Sequence, residues 1–302
     1  MVNGFMNPYI QSLRLRTLPL SVSGIILGTG LAVPDFRFEI LDFKFWSVFS
    51  LAIATTLSLQ ILSNLCNELG DALKGTDADQ HNREAYGLQS GTITVRQMKH
   101  MIELFIGLSI AFGTALIYVS FWTTPYTVHL TTYTNTCIFI GLGALAIVGA
   151  IKYTLGKHSY GYIGLGDLGV FLFFGLLSTI GAFYLQTQTI TPEVIWSGVA
   201  IGLPCVGVLN LNNIRDMRND LKHGKRTFAG LLGPKGAKIY HTFLLVLCLG
   251  IFVGFGHYWP LAVIPVWAWH VWFIWSHDES QLDRQMPVLM FSTLFVAILS
   301  CL

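Results

Sequence analysis

Residues 45–71 read FWSVFSLAIATTLSLQILSNLCNELGD. No charged residue falls between Phe45 and Asn67, and the run then ends in Asn67-Glu68-Leu69-Gly70-Asp71. A helix needs about 20 mainly apolar residues to cross the hydrocarbon core of a bilayer, so this stretch reads as a membrane helix with acidic groups at one end. The rest of the chain agrees. Of 302 residues 53% are hydrophobic and 11% charged, with a mean hydropathy of +0.59. Soluble domains carry roughly a quarter charged residues. Nine segments qualify as candidate spans: 18–33, 45–66, 97–120, 135–152, 167–186, 193–214, 236–255, 259–275 and 286–302. Long runs without alternation exclude a β-barrel. The expected fold is an all-α polytopic membrane protein of about nine transmembrane helices, forming one domain over residues 1–302.

Charge distribution orients this array. With the N-terminus in the cytoplasm, all of the 18 lysines and arginines except Arg37 and Lys44 fall in cytoplasmic segments, as the positive-inside rule requires. No secretory signal peptide is expected, because Arg14 and Arg16 lead into apolar sequence with no small-residue cleavage pattern. A net charge of +2 gives no support to a nucleic-acid partner. Cys66, Cys137, Cys205, Cys248 and Cys301 sit singly in apolar stretches, which predicts neither a disulfide nor zinc. The nine histidines lack the spacing of a transition-metal site, and His241 reads as a packed, hydrogen-bonded residue.

A second polar stretch, Asn212-Asn213-Ile214-Arg215-Asp216 through Asp220, ends the apolar segment four helices later. Both stretches fall on the expected cytoplasmic face, followed by connections over about 71–96 and 217–235. Acidic groups beside a membrane are costly and mark function. Asn67 and Asp71 are one helical turn apart, and Asn212, Asp216 and Asp220 form an i, i+4, i+8 stripe. Gly75 is expected to end its helix so that Asp77 folds back from the loop. Opposed, these stripes would offer Asp71, Asp77, Asp216 and Asp220, with Asn67 and Asn212, as hard oxygen donors. Mg²⁺ takes a few carboxylates and completes its sphere with phosphates and water. Lys74, Arg215, Lys225 and Arg226, with Arg14, Arg16 and Lys222, are the cationic candidates for a diphosphate. Tyr153, in the tyrosine-rich connection before Asp167, is a candidate to face a carbocation. Asp167 reads as a helix N-cap.

At these residues the chain resembles the UbiA superfamily of membrane-embedded aromatic prenyltransferases. The resemblance is greatest to the branch that uses 1,4-dihydroxy-2-naphthoate in menaquinone synthesis. It rests on Asn67 to Asp77, on Asn212 to Asp220, on Gly224-Lys225-Arg226-Thr227, and on Arg14-Leu15-Arg16-Thr17-Leu18-Pro19. Gly87-Leu88-Gln89-Ser90-Gly91 and the run from Gly164 to Gly175 extend it. The resemblance implies helices around a central cavity whose cytoplasmic mouth is capped by the two aspartate loops. It also implies Mg²⁺ held by the four aspartates and Asn67 on a polyprenyl diphosphate, and alkylation of the naphthoate ring with loss of CO₂. Localisation would be the cytoplasmic (inner) membrane.

Two departures bear on this. Glu68 stands where the family often has Asp. Asn212 stands where the 4-hydroxybenzoate branch usually has Lys, which favours a naphthoate acceptor over another aromatic one. A transporter would place its acidic residues near the bilayer midplane, not at helix ends. A CDP-alcohol phosphotransferase would need an Asp-Gly-x-x-Ala-Arg sequence that the chain lacks.

Overall fold

The computed structural model describes residues 7–33, 42–76, 87–123 and 130–302. Among them run nine longer helices: α1 (Leu18–Leu31), α2 (Phe43–Lys74), α3 (Val95–Trp122), α4 (Leu130–Lys152), α5 (Gly166–Thr187), α6 (Pro192–Lys222), α7 (Phe228–Gly254), α8 (Ile264–Ser276) and α9 (Met286–Leu299). Each expected span coincides with one of them. Seven are long and apolar enough to cross a membrane: α2 to α7, and α9 with the turn before it. With 14 and 13 residues, α1 and α8 fall short of the about 20 that a full crossing takes. The apolar run from residue 259 is divided because Pro260 and Pro265 produce a 3-10 turn over Trp259–Val263 before α8 begins. All nine expected segments contain a helix, and seven of the described helices are long and apolar enough by themselves for a crossing.

Helix ends follow their cap residues. Asp42 accepts from the Phe45 amide at 2.8 Å to start α2. Thr94 and Gln97 form a capping box at the start of α3. Thr191 and Thr227 cap α6 and α7. Gly75 ends α2 in the left-handed region, with φ 72°, as its sequence position predicts. The expected long connection over 217–235 is instead mostly helix. α6 continues to Lys222 and α7 begins at Phe228, so only five residues are left between them. Gly233 then kinks α7 at φ 70°, because Pro234 excludes the helical region for the residue before it.

The buried centre of the bundle is α6, which has 78% of its most apolar window inside, whereas α4 has 6%. Glycines allow α5 and α6 to touch backbone to backbone: a Cβ on Gly175 would lie 2.6 Å from the Cα of Gly202. At this crossing α5 widens into a π turn over Phe171–Leu177. His241 on α7 is packed and hydrogen-bonded as expected. Its Nε2 lies 3.0 Å from Nε2 of His270, whose Nδ1 donates to Gln285 Oε1 at 2.8 Å. A cavity of ≈ 530 Å³ opens between α1, α2, α3, α4, α5 and α6. Its walls are mainly apolar, with a polar strip along α2 through Thr56, Gln60, Ser63 and Asn67.

Candidate active site

The first motif occupies the last two turns of α2 and faces the connection between α4 and α5. Thr154 donates its hydroxyl to Asn67 Oδ1. The Tyr162 phenol donates to Asp71 Oδ1 at 2.8 Å, so the 2.7 Å contact with Thr76 Oγ1 has Thr76 as donor. Lys74 completes the attachment. Its ammonium reaches the Thr154 carbonyl at 2.7 Å and Ser159 Oγ at 2.5 Å. It also lies 3.5 Å from the centroid of the Tyr162 ring, a cation–π contact. Lys74, expected to hold diphosphate, thus fastens this connection to α2.

The second motif occupies the end of α6. Asp220 is 1% exposed and lies 3.3 Å from the Lys225 ammonium. Apart from this ion pair, no donor among the described residues reaches its carboxylate oxygens. Arg215, also expected on diphosphate, is instead enclosed by carboxylates. Its Nε and one terminal nitrogen bond the two oxygens of Asp216 at 2.8 and 2.6 Å, and the other terminal nitrogen bonds Asp283 at 2.5 Å.

Tyr162 joins the two halves. Its side chain bonds the first motif, and its carbonyl accepts from the Arg226 amide at 3.1 Å just after the second. An isolated bridge pairs Ile163 with Arg226, and Gly224 makes the turn at φ 73°. Asn219 adds a second tie, donating to the Thr76 carbonyl at 2.8 Å. The carboxylates give the cluster a negative field, which favours cations. Burial lowers the Lys225 pKa, but the charges of Asp220, Asp71 and Asp216 more than reverse this and hold it above its ordinary value. Burial, and then the charge of Asp71, raises the Tyr162 phenol well above its usual range. Burial pushes Tyr160 up to about 12. Both phenols stay neutral and available as donors.

Beneath this cluster lies the mouth of the cavity. Asn67, Asn212, Arg14, Tyr153 and Tyr160 line it, and the Tyr153 and Tyr160 rings meet edge to face at 5.3 Å. Arg14 is presented from a left-handed backbone position, φ 52°. The Asn64 amide fixes that segment by donating to the Leu13 carbonyl and the Thr17 hydroxyl, both at 3.0 Å. Arg16 and Arg226 are exposed at the same end of the bundle. Asp77 lies outside the described residues. Asp167 is not an N-cap. That position belongs to Leu165, and Asp167 sits inside the first turn.

Glu68 proves structural where its sequence position suggested little. Buried at 1% exposure, it accepts from Ser12 at 3.2 Å and from the Leu88 amide at 2.8 Å. It thereby ties the N-terminal segment and the 87–91 turn to α2. Tyr162 belongs to the tyrosine-rich connection whose aromatic rings the sequence offers to a carbocation, but its bonds to Asp71 and Arg226 are not legible there, nor are the contacts of Asn219 and Asp283. Asn219 carried a legible signal, since it lies seven residues after Asn212 on the same helix face. Asp283 carried none.

Comparison with known proteins agrees with this architecture. Residues 39–295 match the UbiA prenyltransferase family. The chain is 40% identical to the 1,4-dihydroxy-2-naphthoate octaprenyltransferase of Escherichia coli K12 over 86% of its own length and 79% of that protein's. It is 33% identical to the enzyme of the same name from Haemophilus influenzae, over 99% and 96%. Among solved structures, a UbiA homolog from Archaeoglobus fulgidus bound to GPP and Mg²⁺ superposes with a TM-score of 0.61 at 15% identity. That match covers 97% of this chain and 99% of the other. A UbiA homolog from Aeropyrum pernix gives the same TM-score at 16% identity, again over 97% and 99%.

Proposed function

Since the chain belongs to the UbiA prenyltransferase family, we propose that it transfers a polyprenyl group from an allylic diphosphate to 1,4-dihydroxy-2-naphthoate, releasing diphosphate and CO₂ and giving demethylmenaquinol. One observation carries the reading. The carboxylates and lysine of two distant motifs meet at the polar mouth of an apolar cavity, the arrangement needed by a substrate with an anionic head and a hydrocarbon tail. The names of the relatives support the naphthoate acceptor.

The donor set fits Mg²⁺. Lys225 meets Oδ2 of buried Asp220 at 3.3 Å, and among the described residues no donor meets Oδ1, an oxygen costly to bury unless a further cation reaches it. Among the described residues no three carboxylate, histidine or cysteine side chains converge on one point, so phosphate oxygens and water would have to complete the ion's sphere. Asp71, Asp77, Asp216 and Asp220, with Asn67, would hold it, and its charge would stabilise the departing diphosphate. Lys225, kept protonated by its carboxylate neighbours, would meet the same developing negative charge. Arg14 would contact the diphosphate from the N-terminal segment, with Arg16 and Arg226 drawing it to the mouth and Asn212 positioning the head group. As the allylic C–O bond breaks, its electron pair leaves with the diphosphate. The face of Tyr153 would then lie against the carbocation, and the electron-rich ring carbon would attack it. In this reading the whole chain is one catalytic domain in the cytoplasmic membrane, with its N-terminus and motif face in the cytoplasm.

The test is product formation by purified protein in detergent, given a polyprenyl diphosphate, Mg²⁺ and either 1,4-dihydroxy-2-naphthoate or 4-hydroxybenzoate. Magnesium-dependent prenylation of the naphthoate with CO₂ release, abolished by EDTA, is expected. Prenylation of the benzoate alone would overturn the acceptor, and no product with either, from folded protein, would overturn the activity.

A further inference from the structure

We propose that Asp283, on the turn between α8 and α9, is a positioning residue that sets Asp216 for metal binding by holding the far side of Arg215. The inference rests on the reading above that Asp216 is a ligand. Consecutive side chains on a helix diverge by about 100° and do not face each other. The bidentate pair of Arg215 with Asp216 therefore requires the guanidinium to be bent sideways and held there. The holding group is Asp283, at 2.5 Å from the nitrogen that Asp216 does not use. That nitrogen's other contact is the sulfur of Met286 at 3.6 Å. The Arg215 side chain is only 7% exposed, so solvent cannot substitute for the lost carboxylate. Each oxygen of Asp216 bonded to the guanidinium keeps a lone pair for a cation. With Asp283 sharing the positive charge of Arg215, Asp216 keeps more of its negative charge for the ion.

The turn that carries Asp283 is itself fixed. Leu282 is fully buried, and Gln285 accepts from His270, which in turn contacts His241. The buried histidine pair of α7 and α8 thus anchors the turn from below. A second pair, Arg218 with Glu279 at 3.7 Å, lies on an arginine that is 93% exposed and contributes little. Asp283 is the member of this turn that reaches the second motif through a buried partner.

The test measures Mn²⁺ binding by electron paramagnetic resonance, using purified protein with a non-cleavable thiolo analogue of a short allylic diphosphate. Activity is titrated with Mg²⁺ alongside. Asp283→Asn is expected to weaken Mn²⁺ binding roughly tenfold, the usual effect of removing a group that orients a ligand, and to raise the half-saturating Mg²⁺ equally. Asp283→Glu should restore both, and Arg218→Ala should change neither. Wild-type affinity in Asp283→Asn, while Asp216→Asn loses binding, would overturn this inference and leave the ligand assignment intact. Undiminished binding in Asp216→Asn would overturn both. Failure of Asp283→Glu to recover binding, in protein that melts like wild type, would reduce Asp283 to a residue that only shapes the turn.

Discussion

The Tyr162 hydroxyl donates to Asp71 Oδ1 at 2.8 Å, across 91 residues of sequence. Because the Tyr162 carbonyl also receives the Arg226 amide, one residue bonds to both halves of the site, beside the tie from Asn219 to Thr76. Tyr162→Phe keeps the ring beneath Lys74 but removes the phenol oxygen from both Asp71 and Thr76. A hydrogen bond to a charged group contributes about 1.5–3 kcal/mol, so kcat/KM for the prenyl diphosphate should fall roughly ten- to hundredfold. The melting temperature should fall by several degrees, since the same bonds hold the ligand-free fold. Unchanged kinetics in Tyr162→Phe would show that this tie does not support the site.

Asp71→Asn, Asp216→Asn and Asp220→Asn should each lose nearly all turnover while the protein still inserts and folds. Asp220→Asn is the most informative, because it also strips Lys225 of its ion-pair partner. The expected signature is lost metal response together with weaker diphosphate binding. Full activity of any of the three at ordinary Mg²⁺ would remove that residue from the site.

The helices were legible because membrane spans are written locally, in the length of an apolar run. The face shared by Asn212, Asp216 and Asp220 was equally local, a matter of 3.6-residue periodicity. What sequence could not show was which cations are already engaged. Lys74 and Arg215 look like phosphate ligands beside their aspartates, yet they bind Thr154 and Ser159, and Asp283, from segments 80, 85 and 68 residues away. No spacing rule encodes such contacts. Asp167 departs from its sequence pattern for a related reason. A turn glycine followed by an acid looks like a cap, but the helix starts one residue earlier, at Gly166.

pH dependence follows from Lys225. Its folded pKa is raised above the ordinary value near 10.5. The stability it contributes is fully present below that ordinary value and is lost only as pH rises through the higher folded one. Tyr162 is raised as well, so neither group changes charge near neutrality. The kcat/KM profile should therefore show no alkaline limb from these residues between about pH 7 and 9.5. A limb in that window, moved by Lys225→Arg or removed by Tyr162→Phe, would show that one of them titrates there.

Chain-length selection should be adjustable from within α3. Gly113 lines the cavity, and a Cβ placed on it meets only the Thr55 methyl group at 3.8 Å, so a larger side chain enters open space rather than a neighbouring backbone. Gly113→Leu also replaces a poor helix former with a good one, and the fold should tolerate it. The added side chain takes up volume that a hydrocarbon tail would need. Short allylic diphosphates, whose tails stop before that depth, should keep their kcat/KM. Long ones should lose roughly tenfold or more, the scale on which an apolar pocket separates substrates by size. Competition between a short and a long donor, with products resolved by mass, reads the ratio directly. An unchanged ratio in folded Gly113→Leu would mean that the tail runs elsewhere, out between the helices toward lipid.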